Sequence, residues 1–389
     1  MKKLVLASAV SAAFVAPATA LAQAVPTLDK ILDASGISVS GYIDTAYSHA
    51  NKNLSTPPTT ATSDRVFDSQ NNSFALHQFG LTVAKQPKEG FGGLVNLTVG
   101  SDAQVIHSFP EFSGSTPPGS NSSMFDITQA FGQYAKGPLT VMFGKFTTLH
   151  GTEVIASTGN TNFSRSILFG AVPFTHTGVR ASYAASDTAT LYAGVNNGWD
   201  QLTDSNKGKT LELGATLMPI KPLTITVSDY YGKESAAAPG TPSVTTAQGI
   251  RNSINVVASY TVSDPLSIGL EFLSVNQDIP GPPSTSAKYS GFAGYVTYMV
   301  SPKWRAAVRA ERFDDKNNFH FAIAAPGVAA GAGVKYTEAT LTISYLPSSS
   351  FELRGEVRSD RADTAVFVDS TGATSKSLVT AAVQGIYKF

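Results

Sequence analysis

Residues 351–360 read FELRGEVRSD. Phe351, Leu353, Gly355 and Val357 alternate with Glu352, Arg354, Glu356 and Arg358. A period of two marks a β-strand with two unlike faces. One face is uncharged and the other carries four charges, so the strand separates an apolar medium from water. On the lipid face of a barrel a cation costs up to roughly 2–4 kcal/mol at the midplane, and an acid less. Inverting the strand would therefore cost several kcal/mol, and the charged set faces inward.

The preceding KWRAAVRAERF, residues 303–313, repeats the pattern. Trp304, Ala306, Val308 and Ala310 alternate with Arg305, Ala307, Arg309 and Glu311. The last residues, AAVQGIYKF (381–389), alternate as well, with Val379, Ala381, Val383, Gly385 and Tyr387 on one uncharged face. A strand that runs to the final carboxylate needs something to pair its edge. Tyr387 and Phe389 resemble the C-terminal signature of bacterial outer-membrane proteins, which the barrel-assembly machinery recognises there. Phe389 also reads as an aromatic-girdle residue.

The other end, MKKLVLASAVSAAFVAPATALAQA, has two lysines, an apolar run and small residues. That is the layout of a secretory signal peptide, assigned to residues 1–22 with Ala20-Leu21-Ala22 before the cut. Without it the chain has 26 basic and 28 acidic residues and no cysteine. Nothing basic enough for nucleic acid is implied. Charged residues are 14%, where about a quarter is usual. After the leader no stretch approaches the ~18 consecutive apolar residues of a membrane helix. An exported, cysteine-free chain with apolar residues at period two has the pattern of a transmembrane β-barrel.

Seven short turns share one layout: an alternating run ends, a few polar residues follow, and a new run opens. They lie in VAKQPKEGF (from Val83), YAKGPLTV (Tyr134), YAASDTATL (Tyr183), TLMPIKPLTI (Thr216), YTVSDPLSI (Tyr260), YMVSPKWRA (Tyr298) and YLPSSSFEL (Tyr345). Between them lie long polar stretches, roughly 49–73, 101–122, 147–174, 197–207, 233–248, 276–286, 314–333 and 361–375. Seven turns join fourteen strands, and the two terminal strands make sixteen. One misread hairpin would give fourteen or eighteen. The expectation is an antiparallel up-and-down barrel over 37–389, both ends at the short-turn rim, with the last strand paired to the first.

The same face logic places Asp44, Asp126, Arg180, Glu212, Asp229, Glu271 and Glu338 inside. With Arg305, Arg309, Glu311, Glu352, Arg354, Glu356 and Arg358 they give a lumen of both signs. The reading is a hydrated channel for passive diffusion of small hydrophilic solutes and ions, with weak ion selectivity. Alternatively these charges pair across strands and fill the wall. The segment 147–174 is the longest connection and carries Val154, Ile155, Ile167, Leu168, Phe169, Val172 and Phe174. Such a segment is expected to fold into the barrel and narrow it. His150, Glu153 and Arg165 are then candidate constriction residues, or else Glu153 and Arg165 anchor the segment to the wall.

FGKFTTLHGTEV, NFSRS, PFTHTGVRASY, NNGWD and RAERFDD together resemble the OmpL-like β-barrel porins, from about Gly41 to Phe389. Thr161 stands where such sequences often have an aromatic between two asparagines. The resemblance implies an outer-membrane channel and fixes no solute. Its partners would be outer-membrane lipid, the assembly machinery and small hydrophilic solutes. A homotrimer and a monomer are both compatible with it.

The sequence contains no nucleophile elbow, phosphate loop or zinc-protease motif. The six histidines show no ligand spacing, so neither metal nor cofactor is expected. FDDKNN and GWDQLTDSNKGK are read as solvated loop acids rather than calcium ligands. PTLDKILDASG (26–36), within the 23–36 lead-in, is the one helical candidate, with Gly36 as its stop. Two rival classes remain: an outer-membrane hydrolase using His150 and Glu153, and a non-conducting receptor or adhesin barrel.

Overall fold

The structure is a computed structural model that describes residue 32 and residues 34–52, 65–108, 123–235, 248–321 and 331–389. The signal-peptide assignment, most of the lead-in and parts of four long connections lie outside these residues. The chain divides into two units, Met1–Ile37 and Ser38–Phe389. In the first, Leu32, Ala34 and Ser35 are helical, and Gly36 adopts a φ of +68° at the helix end.

The second unit is a closed antiparallel barrel of sixteen strands. They are β1 (Ser38–Ala50), β2 (Ser73–Lys85), β3 (Gly90–Val99), β4 (Phe125–Lys136), β5 (Leu139–Thr147), β6 (Thr175–Ser186), β7 (Ala189–Asn196), β8 (Thr210–Ile220), β9 (Leu223–Ser235), β10 (Gln248–Ser263), β11 (Leu266–Ile279), β12 (Thr285–Ser301), β13 (Trp304–Asp315), β14 (Val334–Ser348), β15 (Phe351–Ala362) and β18 (Ser377–Lys388). The two-residue strands β16 (Phe367–Val368) and β17 (Thr374–Ser375) form a small hairpin in the last connection. All seven expected short turns join the strands they were read to join. Gly137, between β4 and β5, shows why such turns need their residues: its φ is +56°.

The expected closure is present. β1 pairs with β18 from Tyr42↔Lys388 to Ala50↔Thr380. Gly41 and Phe389 exchange both backbone hydrogen bonds, each 2.9 Å. The terminal strand therefore has no open edge. Among the described residues no helix is long and apolar enough to cross a membrane; the strands do the crossing.

The outer surface is an apolar belt. Leu213, Leu270, Phe292, Val308, Leu341, Val357 and Val383 are all exposed on it. Towards the short-turn rim it ends in exposed aromatics, among them Tyr134, Tyr183, Tyr298, Trp304, Phe351 and Tyr387, which is the girdle of a barrel at a membrane interface. Inside, the half of the lumen nearer the long connections is not simply hydrated. Ile167, Leu168, Ala171 and Val172 form one buried apolar cluster with inward-facing Leu273, Val275, Tyr289, Phe313, Tyr336 and Leu378. A second cluster joins Phe67, Ile106, Ile155 and Phe169.

Candidate functional site: a lumen occupied by an inward segment

Alternation along each strand sets which side chains enter the lumen. Of the fourteen charged residues assigned there, thirteen point inward. Asp229 does not. It pairs with Leu213 on β8 and Ile254 on β10, both exposed on the apolar belt. Inward Ser228 and Tyr230 flank it and are buried. Its carboxylate accepts a 2.8 Å bond from the Asn252 side-chain amide. One neighbouring polar group holds the acid on the outer surface, and a single acid there costs less than a cation.

The connection between β5 and β6, residues 148–174, enters the barrel and crosses it. Tyr230 accepts the Leu149 backbone N–H at 2.9 Å. The His150 ring sits between Ser228 Oγ at 2.7 Å and Ser253 Oγ at 2.8 Å. Gly151 N donates to Asn255 and Thr152 N to Glu271, 3.0 and 2.9 Å. Across the lumen Ser157 donates its hydroxyl to Asp44 and its N–H to Gln78. The turn between is closed by Asn160, which bonds Val154 N, Val154 O and Ala156 O. Phe163 and Ser164 donate to Glu356 at 2.6 and 2.9 Å, and Ile167 and Leu168 to Glu311 at 2.7 and 3.1 Å. Ser166 caps the short helix Ile167–Gly170 by accepting from Phe169 N.

The carbonyls are met by arginines. Arg354 donates to Ser157, Asn160 and Asn162, Arg309 to Ser164, and Arg358 to Arg165. An irregular segment carries unpaired backbone groups, and each costs about 1–3 kcal/mol if buried without a partner. The inward carboxylates take its N–H groups and the inward arginines take its C=O groups. Both signs are needed because a peptide has both a donor and an acceptor.

This corrects the expectation of a charge-lined water path. Asp44, Asp126, Arg180, Glu212, Glu271, Arg309, Glu311, Glu338, Glu352, Arg354, Glu356 and Arg358 are all buried. Those not bonded to the segment are bonded to one another or, for Asp126, to Lys145 and His107. Arg180 clamps Glu212, with Nη2–Oε2 at 2.7 Å, and Lys145 and His107 meet Asp126, each at 3.3 Å. Arg309 joins Glu338 at 3.0 Å and Glu153 at 2.7 Å. Arg305, paired with Glu352, is partly open at the short-turn side. Of the two readings of the segment's own charges, constriction and anchoring, the contacts of Glu153 and Arg165 fit anchoring. Arg165 is buried, donating to the carbonyls of Val154, Ile155 and Phe163. Glu153 accepts from Ser166 N and Arg309. Both bind the segment in place rather than face open water.

Residues that the charge pattern did not single out complete the clamp: Gln78, Tyr230, Ser253, Asn255 and Thr342. Their signal was inward alternation, which neutral polar residues share with every wall position. Arg65 is another, reaching from the first long connection to Asp360 at 2.6 Å. Near the loop rim Asp200, between β7 and β8, accepts the backbone N–H groups of Phe174 and Thr175, each at 2.9 Å. Burial pushes its carboxyl up to about 7 even though those two bonds act in the other direction. Among the described residues no group of three or more His, Cys, Asp or Glu could hold a metal ion.

Comparison with known proteins gives the same architecture. A structure of OmpT, an outer membrane protein of Vibrio cholerae, in trimer form, superposes with a TM-score of 0.60 at 14% identity, covering 91% of this chain and 99% of that one. The outer membrane channel DcaP of Acinetobacter baumannii gives 0.59 at 15% identity, over 91% and 97%. An anion-selective porin from Comamonas acidovorans gives 0.59 at 11%, over 91% and 99%. At these identities the likeness is one of fold. No curated protein matches the sequence. The model of the family described as "Putative beta-barrel porin-2, OmpL-like" matches residues 36–389. A barrel with this girdle and inward segment, matched over nearly its whole length, belongs to that OmpL-like porin family of the bacterial outer membrane.

Proposed function

We propose that this porin passes small hydrophilic solutes and ions by passive diffusion, through water left between the wall and the inward segment 148–174. The observation that carries this reading is the chemistry of the short-turn half of the lumen. There the wall from β7 to β12 presents hydroxyls: Thr190, Thr216, Thr226, Ser259, Ser267 and Thr297 all face inward and are partly or fully open to solvent. Thr161 and Asn162 of the segment face Ser259, Ser267 and Thr297 across a recess. Open hydroxyls keep water in place and carry no net charge, so they favour polar solutes without choosing a sign. The charges that could choose are committed to holding the segment or to ion pairs with each other, including partly open Arg305 with Glu352. Weak ion selectivity follows from that division. The hydrolase alternative gains nothing from this geometry, because His150 and Glu153 are each bound to separate partners.

Single-channel recording in planar bilayers tests the proposal. The wild-type barrel should conduct, with a reversal potential near zero across a salt gradient. Replacing residues 152–165 by a short glycine-serine linker should raise conductance several-fold. A folded barrel that passes no current, with or without the segment, would end the channel reading.

A further inference from the structure

At the edge of the apolar belt, on the outer surface towards the long-connection ends of β12–β15, one rung reads Phe292↔Arg312↔Thr337↔Arg361, with Phe292 still part of the belt. Both arginines are exposed, and neither makes a hydrogen bond or ion pair among the described residues. Two strand spacings put their Cα atoms roughly 10 Å apart, within reach of one phosphate group or a close pair. The rung beneath is Gly294↔Ala310↔Ala339↔Ser359, all small. The next is Val296↔Val308↔Leu341↔Val357, which is apolar. Together the three rungs form a ledge: a hydrocarbon-compatible base, a shallow step and, above it, two guanidinium groups that have no partner among the described residues.

The charge is one-sided. This edge also carries Lys288 and Lys335, against Asp314, which bridges to Lys335 at 3.8 Å, and Asp363. The corresponding edge on β9–β11 carries Asn252, Asn276 and Asp278, with Lys233 as its cation, Lys288 of β12 beside Asn276, and Asp229 one rung nearer the belt. Two exposed arginines with no partner among the described residues are favourable at a membrane boundary where the neighbouring headgroups are anionic. Guanidinium groups match phosphate in particular, since they can donate two parallel hydrogen bonds to it.

We infer that the Arg312–Thr337–Arg361 rung is a binding site for the phosphorylated headgroup of an outer-leaflet glycolipid, with its acyl chains lying on the apolar rungs below. Such a lipid would fasten this sector of the barrel to the leaflet.

The test is native mass spectrometry of the purified full-length barrel in detergent, titrated with lipid A. The wild type should retain lipid A. A double variant, Arg312→Gln with Arg361→Gln, should bind it roughly 25-fold more weakly, at about fivefold for each lost cation. Arg312→Lys with Arg361→Lys should keep most of the affinity. Lipid A stripped of its phosphates should bind wild type and double variant equally. Both variants lie on the surface, and a heat-shifted gel band confirms that they fold. Equal retention of intact lipid A by wild type and the Gln variant would overturn the inference. So would a Gln variant whose oligomeric mass changes while lipid A retention does not, because the rung would then be a protein contact.

Discussion

Arg309 shows at one residue what the lumen is built to do. Its guanidinium donates to Glu338, Glu153, Thr340, the Ser164 carbonyl and the Ser164 hydroxyl. It joins strands β13 and β14 to two points of the inward segment. Replacing it with methionine keeps the bulk, leaves buried Glu153 without its cation and leaves Glu338 with only the Arg358 guanidinium, 3.7 Å away. Removing one partner of such a pair costs about 3–5 kcal/mol. Arg309→Met should therefore unfold from lipid vesicles at clearly lower urea than wild type, and adding Glu153→Gln should recover part of the loss. Equal midpoints for all three would mean the pair is not coupled to stability. Asp200 allows a pH test outside the membrane-spanning strands. Its folded pKa lies near 7, above the ordinary carboxyl value. The bound proton thus favours the folded loop: the stabilisation is complete in acid and is lost as pH rises through about 7. Buried Trp199 is adjacent. Its fluorescence should change with a midpoint near pH 7, and the change should vanish in Asp200→Asn, which keeps the accepting oxygen.

At the scale of the element, the segment between β5 and β6 was legible as an inward one from its apolar residues alone. Ile155, Ile167, Leu168, Phe169 and Val172 are indeed buried, and each full burial contributes about 1.5–3 kcal/mol. Its partners were not legible. A carboxylate that receives backbone N–H groups from a distant segment has the same alternation as one that faces water, as Glu311 and Glu356 show. Asp229 failed for a related reason: an acid tolerated by a single Asn252 bond on the outer face looks, in sequence, like one that points inward. Arg165 distinguishes the two ways of reading a charge in the segment. As a constriction residue it would set ion preference. As a carbonyl donor it sets rigidity. Arg165→Met removes bonds to Val154, Ile155 and Phe163, so open-channel current noise should increase while the reversal potential moves little. A large cationic shift in reversal potential without added noise would return Arg165 to the water path.

For the whole molecule, the sixteen strands and their closure were legible because period-two faces and short turns are local signals that repeat. The closure also gives Phe389 two separable roles. Its backbone completes the β1–β18 ladder with Gly41. Its ring lies near Phe79 and Tyr387, at centroid distances of 6.3 and 6.2 Å. It fits against Gly41 so closely that a Cβ added there would lie 2.6 Å from it. Deleting Phe389 removes two hydrogen bonds of a long ladder, at a net cost of about 0.5–1.5 kcal/mol each. A barrel closed by nine other β1–β18 pairs should tolerate that loss. Purified protein lacking Phe389 should then fold in detergent almost as well as wild type. If Tyr387 and Phe389 also serve as the signal read during assembly, the same deletion should sharply lower the amount of barrel in outer membranes of living cells. Substituting Trp for Phe389 should restore it, because an aromatic end is retained. Parallel losses in detergent and in cells would assign Phe389 to closure alone, and undiminished levels in cells would remove it from assembly.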